Sequence, residues 1–450
     1  MTQTAEPEIA TQDPRARADW WPGLRALLLR LHTYAGILIG PFLLVAACTG
    51  LLYVFSPQID KLLYAHELTV PAAPGNVPLT AQIDAARAQL PGAGLHSVLP
   101  SASPTQSTQV VFDAPDQGEE HFRSVFVDPH DGSVRGTLDN YRNVHNLPVQ
   151  SWFDELHRGL HLGQFGLFYS ELAASWMWVL VLAGVVLWLR KRFVARRSGT
   201  RRRAVNGRRR LLSWHGWAGL GISLVLLFLS ATGMTWSTLA GDNVSKFRAQ
   251  FSWQAPEIST TLPARAAVGA DIGFDRVREA VSAAGLRGPL EITPPSGPGA
   301  AYEVKREVRA WPGSIDTMAV DPGTGRITAD LPYADYPFMA KLSHWMVLAH
   351  QGLLFGWVNQ IVLAIVAIAL ILVIVLGYRM WWMRGPAKRG FGRLPARGTW
   401  RRVPGKVLAP IVLGAVLAGY FAPLLGGSLL LFLFIDGLLA LRARRREATA

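Results

Sequence analysis

The sequence predicts a polytopic α-helical membrane protein with two parallel repeats, each of two spans plus an extracytoplasmic α+β domain, and an extra C-terminal helical hairpin. Three observations lead to this fold class. The chain has long runs without ionisable side chains, it contains an internal duplication, and its basic residues gather in four segments. Together these features exclude a soluble globular protein.

Four long runs contain no Asp, Glu, Lys or Arg, namely residues 31–59, 172–189, 211–241 and 342–378. A helix needs ~20 apolar residues to cross the hydrocarbon core, and each run supplies that number or nearly so. In lipid only helices and closed barrels satisfy all backbone polar groups, and these runs lack the alternation of barrel strands. We therefore expect spans at 31–56, 169–189, 211–238 and 355–378.

A further apolar stretch near the C-terminus is interrupted only by Asp436. Pro423, Gly426 and Gly427 lie in its middle, and both residue types break helices. The stretch is therefore predicted to form a hairpin of two short helices over residues 407–441. Asp436 is either a functional polar group or a carboxylate that reaches the interface from a helix end.

The net charge of +14 is unevenly distributed along the chain. Of 45 Lys and Arg residues, 28 fall in segments 1–30, 190–213, 379–406 and 442–450. Placing these segments in the cytoplasm satisfies the positive-inside rule for every span. The inner segments are then 1–30, 190–210, 379–406 and 442–450, with both termini cytoplasmic, and the outer segments are 57–168 and 239–354. This distribution favours contact with anionic lipid headgroups and argues against nucleic acid as a partner.

The duplication is recognised from motifs that recur in the same order. At an offset of 183, a histidine motif and a Thr-Gly pair recur, as 31–36 with 214–219 and 49–50 with 232–233. At an offset of 193, a turn motif and a histidine motif recur, as 127–132 with 320–325 and 156–159 with 349–352, and Gly163 and Gly184 match Gly356 and Gly377. Two spans per repeat return the chain to the same side, so the copies are parallel and matched residues lie at equal depth.

Each outer segment reads as a small α/β unit. In the first, residues 79–90 have helical spacing, and residues 109–112 and 124–127 resemble strands. An Asp-Pro-x-x-Gly turn follows, because proline presets φ and glycine permits positive φ. The second segment has the same order, with a helix predicted over 274–284 and a strand over 316–320.

Histidines at two matched positions are the candidate functional residues. His32 and His215 are expected near the cytoplasmic surface, and His157 and His350 on the outer side, with residues 150–162 forming a surface helix. An isolated histidine at this depth is often only an interfacial residue. Two imidazoles that face one axis can instead supply both axial ligands of a b-type haem, whereas zinc usually recruits more protein ligands. The pairs therefore predict two haem b groups, whose irons are bound by these four histidines.

Two other histidines compete for the outer site and break the symmetry of the repeats. His161 follows His157 by one helical turn, but its matched position is Leu354. His344 matches Ser151. Both are alternative ligands, or residues that support the ligands.

These motifs, taken in this order over roughly residues 25–385, resemble the PepSY-associated transmembrane helix family. The resemblance implies an iron-regulated protein of the bacterial inner membrane, similar to haem-containing reductases of ferric siderophores. It also implies PepSY-like periplasmic domains that hold the substrate site, and an electron path through haem. The terminal hairpin lies outside the resemblance.

Two functions follow from these observations. In the first, the protein is a transmembrane haem b oxidoreductase that passes electrons to a periplasmic ferric siderophore or another ferric complex and releases Fe(II). In the second, it is a non-enzymatic PepSY envelope module that binds or regulates another protein. Nucleotide-binding and Gly-x-Ser-x-Gly motifs are absent from the sequence, so no catalytic residue is assigned. A separate electron donor, either a cytoplasmic reductase or a quinol, is expected.

Overall fold

The computed structural model describes residues 20–118, 120–197, 207–262, 270–383, 401 and 403–448. Five of its helices are long and apolar enough to cross a membrane: α1 (Trp21–Tyr53), α6 (Gly163–Arg197), α7 (Arg208–Met234), α11 (Gly356–Trp382) and α13 (Pro423–Ala448). A shorter apolar helix, α12 (Gly405–Phe421), precedes the last of them. The prediction of a multi-pass membrane protein is confirmed.

The helices α1, α6, α7 and α11 form a four-helix bundle in which α1 packs on α6 and α11, and α7 packs on the same two helices. Its interior is apolar and contains residues from all four helices, among them Leu31, Phe42, Met177, Leu226 and Val366. Their burial against neighbouring helices distinguishes this bundle from single spans that face only lipid.

The terminal hairpin packs against α6 and extends the bundle. Gly419 and Gly426 lie against each other at the turn, where a Cβ on either glycine would come within 2.9 Å of the other's Cα. Trp176 on α6 donates a 2.8 Å hydrogen bond from Nε1 to Ser428 Oγ on α13. Asp436 forms a buried ion pair with Arg30 of α1, so this carboxylate is held inside the protein.

The described strands and most of the short helices lie at one end of the bundle, which we call the sheet end. The chain leaves the bundle through α2 (Ser56–Leu63) and α3 (Ala65–Leu68), then forms α4 (Leu79–Gln89) and strands β1 (Leu95–Leu99), β2 (Thr108–Asp113), β3 (His121–Val127) and β4 (Val134–Tyr141). After α7 it forms α8 (Leu239–Gln250), α9 (Gly273–Ala283) and strands β5 (Leu290–Thr293), β6 (Tyr302–Val308), β7 (Ser314–Val320) and β8 (Ile327–Leu331). The opposite end of the bundle is called the far end.

The two predicted outer units form one antiparallel sheet. Its order is β4-β3-β2-β1-β5-β6-β7-β8, so two four-stranded meanders meet where β1 pairs with β5 at Val98 and Ile292. Pairing these strands removes one exposed edge from each meander, and exposed edges promote aggregation. The helices α4 and α9 cover one face, and their apolar side chains complete a shared core. An α+β domain is therefore present, with its strands in a single sheet.

The turn predicted from Asp-Pro-x-x-Gly occurs in both meanders. Gly132 and Gly325 have φ of +76° and +72°, and each donates its backbone N–H at 2.9 Å to the carbonyl of Asp128 or Asp321, respectively. Because the aspartate begins the turn and glycine supplies the positive φ, the motif reverses the chain between β3 and β4 and between β7 and β8.

Two short helices connect the sheet to the bundle: α5 (Pro148–Gly159) and α10 (Phe338–His350), the latter after a short 3₁₀ turn (Tyr333–Asp335). The chain bends sharply after α5, where Leu160 and His161 adopt positive φ before α6 begins at Gly163. Gly166 is required at this bend, because a Cβ there would collide with the carbonyl oxygen of Gly159. A short helix is therefore present before the second span, over Pro148–Gly159.

Candidate functional site

The far pair consists of His32 on α1 and His215 on α7, two helices that both span the bundle. Their ring centroids are 6.1 Å apart and their planes are nearly perpendicular, at 87°. The two histidines that the duplication matches therefore lie close together inside the bundle.

Each histidine of the far pair bonds to the backbone of the next spanning helix. Nδ1 of His32 lies 2.9 Å from the carbonyl oxygen of Leu180 on α6, and Nδ1 of His215 lies 2.9 Å from that of Val373 on α11. A carbonyl can only accept, so Nδ1 carries the proton in both rings and Nε2 is the nitrogen with a coordinating lone pair.

Glycines give the far pair its space. A Cβ at Gly184 would lie 3.1 Å from His32 Cε1, and a Cβ at Gly377 would lie 3.6 Å from His215 Cε1. These glycines match each other in the duplication. Gly184 leaves room for the His32 ring, whereas a Cβ at Gly377 would be in ordinary contact with the His215 ring.

The sheet-end pair consists of His157 on α5 and His350 at the end of α10. Nδ1 of His157 lies 3.1 Å from Thr49 Oγ1 on α1, and Nδ1 of His350 lies 2.5 Å from Thr232 Oγ1 on α7. The Thr-Gly pairs therefore contact the outer histidines in both halves of the chain. Sequence analysis had recorded these pairs only as a repeated motif.

A largely apolar cavity of ≈ 240 Å³ lies between the four bundle helices at the sheet end, and both His157 and His350 line it. Its walls include Phe42, Met177, Leu226 and Leu370. Burial lowers the pKa of both histidines, that of His350 to about 3 with a contribution from nearby His157. Both rings are therefore neutral at physiological pH.

Of the two acidic residues that line this cavity, Asp154 and Glu171, Glu171 on α6 is almost fully buried. Its carboxylate accepts hydrogen bonds of 2.8 and 3.0 Å from the backbone N–H groups of Leu239 and Ala240. These amides begin α8, so the carboxylate satisfies unpaired donors and complements the helix dipole. Sequence analysis missed this role, because the contact joins distant segments.

The other two candidate histidines lie outside the cavity. Nδ1 of His161 lies 2.8 Å from Glu155 Oε2, and its ring packs on Trp152. His344 packs against Tyr333 at 5.7 Å between ring centroids. Neither is among the residues that line the cavity with His157 and His350.

No cluster of three or more His, Cys, Asp or Glu side chains suited to a metal ion occurs among the described residues. The chemistry available is therefore that of two separate histidine pairs. Each pair presents two imidazole rings whose orientation is fixed by a partner at Nδ1.

The fold and these pairs define a multi-pass membrane protein with an α+β domain at one end of its bundle. The chain belongs to the family described as PepSY-associated TM region, whose model matches residues 29–384. Helices α12 and α13 lie beyond the match. No curated protein matches the chain.

Proposed function

We propose that the protein is a haem-containing inner-membrane reductase that passes electrons across the membrane to a periplasmic ferric siderophore, releasing Fe(II) for iron uptake. The observation that carries the proposal is the presence of two histidine pairs at opposite ends of one bundle. In all four rings Nδ1 has an oxygen partner, which leaves Nε2 for a metal.

The far pair fits a six-coordinate haem iron. Two metal–nitrogen bonds of about 2 Å, together with the distance from each nitrogen to its own ring centre, add up to roughly 6 Å. The separation of the His32 and His215 centroids is 6.1 Å. With two protein ligands and no third, this pair suits haem better than zinc.

The sheet-end pair fits the same chemistry with different surroundings. His157 and His350 line an apolar cavity that is enclosed by the bundle helices, as a hydrophobic macrocycle requires. Haem at this pair would lie closest to the sheet, where an outer ferric complex could approach.

The two pairs also have the spacing that a transmembrane electron path needs. His157 contacts α1 at Thr49, and the rise along α1 from His32 to Thr49 is about 25 Å at 1.5 Å per residue. That distance is most of a ~30 Å hydrocarbon core. A redox centre at each end would divide the crossing into shorter steps.

When bound, each haem would supply a reversible Fe(III)/Fe(II) couple that holds one electron. The chain's own residues do the rest. The four histidines hold the two irons, the apolar bundle core between the pairs excludes water, and the sheet end presents polar surface to the substrate. One electron reduces the siderophore-bound ferric ion to Fe(II), which siderophores bind weakly.

The direction of transfer follows from the charge distribution. The described arginines at the end of α6, the start of α7 and the end of α11, among them Arg190, Arg208 and Arg379, lie at the far end. The positive-inside rule therefore puts that end and both termini in the cytoplasm. The matched contacts of the four histidines support the inference that the two halves are parallel repeats. A cytoplasmic reductase or a membrane quinol would then supply electrons to the far pair.

Absorption spectroscopy tests this function directly. The purified protein is expected to show the Soret band of low-spin haem and about two haems per chain by haem extraction. In liposomes with an internal reductant, an external ferric siderophore should be reduced, and Fe(II) is measured with an external chelator. A protein without haem after expression with added haem precursor would contradict the proposal and leave the non-enzymatic PepSY module.

A further inference from the structure

Thr49 and Thr232 are buried threonines on spanning helices, with exposed fractions of 4% and 2%. We propose that they are positioning residues, each of which fixes the proton of its histidine on Nδ1 and so directs Nε2 of His157 or His350 to the haem iron. This inference rests on the proposed function and adds two residues to it.

The direction of the hydrogen bond follows from what each hydroxyl already donates to. Thr49 Oγ1 lies 2.9 Å from the carbonyl oxygen of Val45, and Thr232 Oγ1 lies 2.9 Å from that of Phe228, each one turn earlier in its own helix. A hydroxyl has one proton, and these carbonyls can only accept it. The hydroxyl therefore offers its lone pairs to the imidazole, and Nδ1–H of the histidine must be the donor.

The neighbouring glycines make this contact possible. A Cβ at Gly50 would lie 3.3 Å from His157 Cε1, and a Cβ at Gly233 would lie 3.7 Å from His350 Cε1. Threonine supplies the acceptor and glycine supplies the room, in the same order in both helices. A repeated contact of this kind is unlike a threonine that only bonds to its own helix, for which the next residue is unconstrained.

The bond also anchors a helix. His157 belongs to α5, which does not span the bundle, and its ring is fixed to α1 through Thr49. The same applies to His350 of α10 and to Thr232 of α7. Partners of ligating histidines fix the tautomer and the ring orientation, and their loss typically weakens metal binding roughly 10–100-fold.

The test compares Thr49→Val, which keeps the shape and removes the hydroxyl, with Thr49→Ser, which keeps the hydroxyl. The same two changes at Thr232 provide an independent copy. Thr235→Val is the matched control, because Thr235 bonds to the carbonyl of Thr232 at 2.6 Å within the same chain segment and contacts no histidine in this structure.

Two measurements separate this inference from the proposed function. Nitrogen NMR of ¹⁵N-histidine protein without haem reports the tautomer, and valine at either position should convert one histidine from Nδ1–H to a mixture. In haem-loaded protein the valine variants should retain one haem roughly 10–100-fold less tightly. They should also shift its midpoint potential upward, because a hydrogen bond from Nδ1–H makes the ligand more electron-rich and stabilises the ferric state.

Serine should restore all three properties, and the Thr235 control should change none. Valine variants with an unchanged tautomer and potential would overturn the positioning role, even if haem were present. If the wild-type protein bound no haem but the tautomer depended on threonine, the proposed function would fail and the hydrogen-bonding role would stand.

Discussion

The two ends of the helix bundle hold histidine pairs in different ways. At the far end both histidines lie on spanning helices and donate to backbone carbonyls of neighbouring helices. At the sheet end they lie on short helices, form hydrogen bonds with side-chain hydroxyls and line a cavity. The far pair is thus held by the bundle itself, whereas the sheet-end pair depends on how α5 and α10 are attached.

The two ends also differ in how their buried polar groups are partnered. At the far end the buried charge of Arg30 is matched by Asp436. At the sheet end, the buried side-chain oxygens Ser56 Oγ and Asp60 Oδ1 have no hydrogen-bond partner among the described residues. Unpaired buried polar atoms reduce stability and are concentrated where proteins function. The far end thus holds its buried charge in an ion pair, whereas the sheet end contains buried oxygens without such a partner.

The largest expected effects come from removing one histidine at each end. His215→Ala and His350→Ala should each reduce haem from about two to about one per chain, because one of two axial ligands is lost. Transfer from an internal reductant to an external ferric siderophore should stop in both. His161→Ala is the control and should keep both haems, since its ring lies outside the cavity.

The two variants should nevertheless differ when dithionite is added outside. The His215 variant retains the sheet-end haem, which an external ferric siderophore should then reoxidise, whereas the His350 variant should show no such reaction. If the external ferric siderophore reoxidised haem equally in both variants, the assignment of the sheet-end haem as the one that faces the substrate would be wrong.

Breaking the far-end ion pair between Arg30 and Asp436 should have the next largest effect. Asp436→Asn removes the carboxylate that neutralises the Arg30 charge, and breaking a buried pair costs about 3–5 kcal/mol. The free energy of unfolding in detergent measures this loss. Asp84→Asn is the matched control, since Asp84 forms an exposed pair with Arg87 at 3.8 Å and should lose at most about 1 kcal/mol. Replacing both Arg30 and Asp436 by apolar residues should restore stability; continued instability would assign the ion pair a further role.

At the far end, removing the Asp436 charge should destabilise the protein, whereas at the sheet end removing a buried carboxylate charge should stabilise it. Burial raises the pKa of Asp60 and that of Asp154 to about 6. The folded state therefore binds these protons more tightly than the unfolded state, so the contribution of the two groups to stability is highest below pH ~4, falls as the pH rises from about 4 to about 6 and is level above that. Each carboxylate contributes a loss of about 2–3 kcal/mol.

Stability at pH 4 and pH 8, from denaturant unfolding, measures this loss. Asp60→Asn should remove part of the loss, and adding Asp154→Asn should remove most of the remainder. A pH dependence that is unchanged in the double variant would mean that neither carboxylate is buried as described.

Much of this arrangement could be read from the sequence, because it depends on local patterns. Charge-free runs marked the spans, and the repeated histidine motifs predicted that His32 meets His215. The partners of the rings were not predictable: Leu180 and Val373 act through backbone carbonyls, which any residue supplies. The joining of two outer units into one sheet was missed for a similar reason, since strand alternation does not say which edges pair.

The smallest expected effect comes from adding a methyl group to the glycine beside each histidine of the far pair. A Cβ at Gly184 would lie 3.1 Å from His32 Cε1, which is closer than ordinary contact, whereas a Cβ at Gly377 would lie 3.6 Å from His215 Cε1. Gly184→Ala should therefore push the His32 ring by a few tenths of an ångström and weaken its bond to Leu180. We expect a shifted spectrum for one haem and a loss of haem affinity below about 10-fold, less than for removal of a partner. Gly377→Ala should leave the spectrum unchanged. Alanine favours helix over glycine by up to about 1 kcal/mol, so neither variant should be less stable through its backbone. At the sheet end, Gly50→Ala should likewise perturb its histidine more than Gly233→Ala. A Cβ at Gly50 would lie 3.3 Å from His157 Cε1, whereas a Cβ at Gly233 would lie 3.7 Å from His350 Cε1. If the alanine at Gly377 perturbed the haem more than the one at Gly184, the two rings would not lie where the fold puts them.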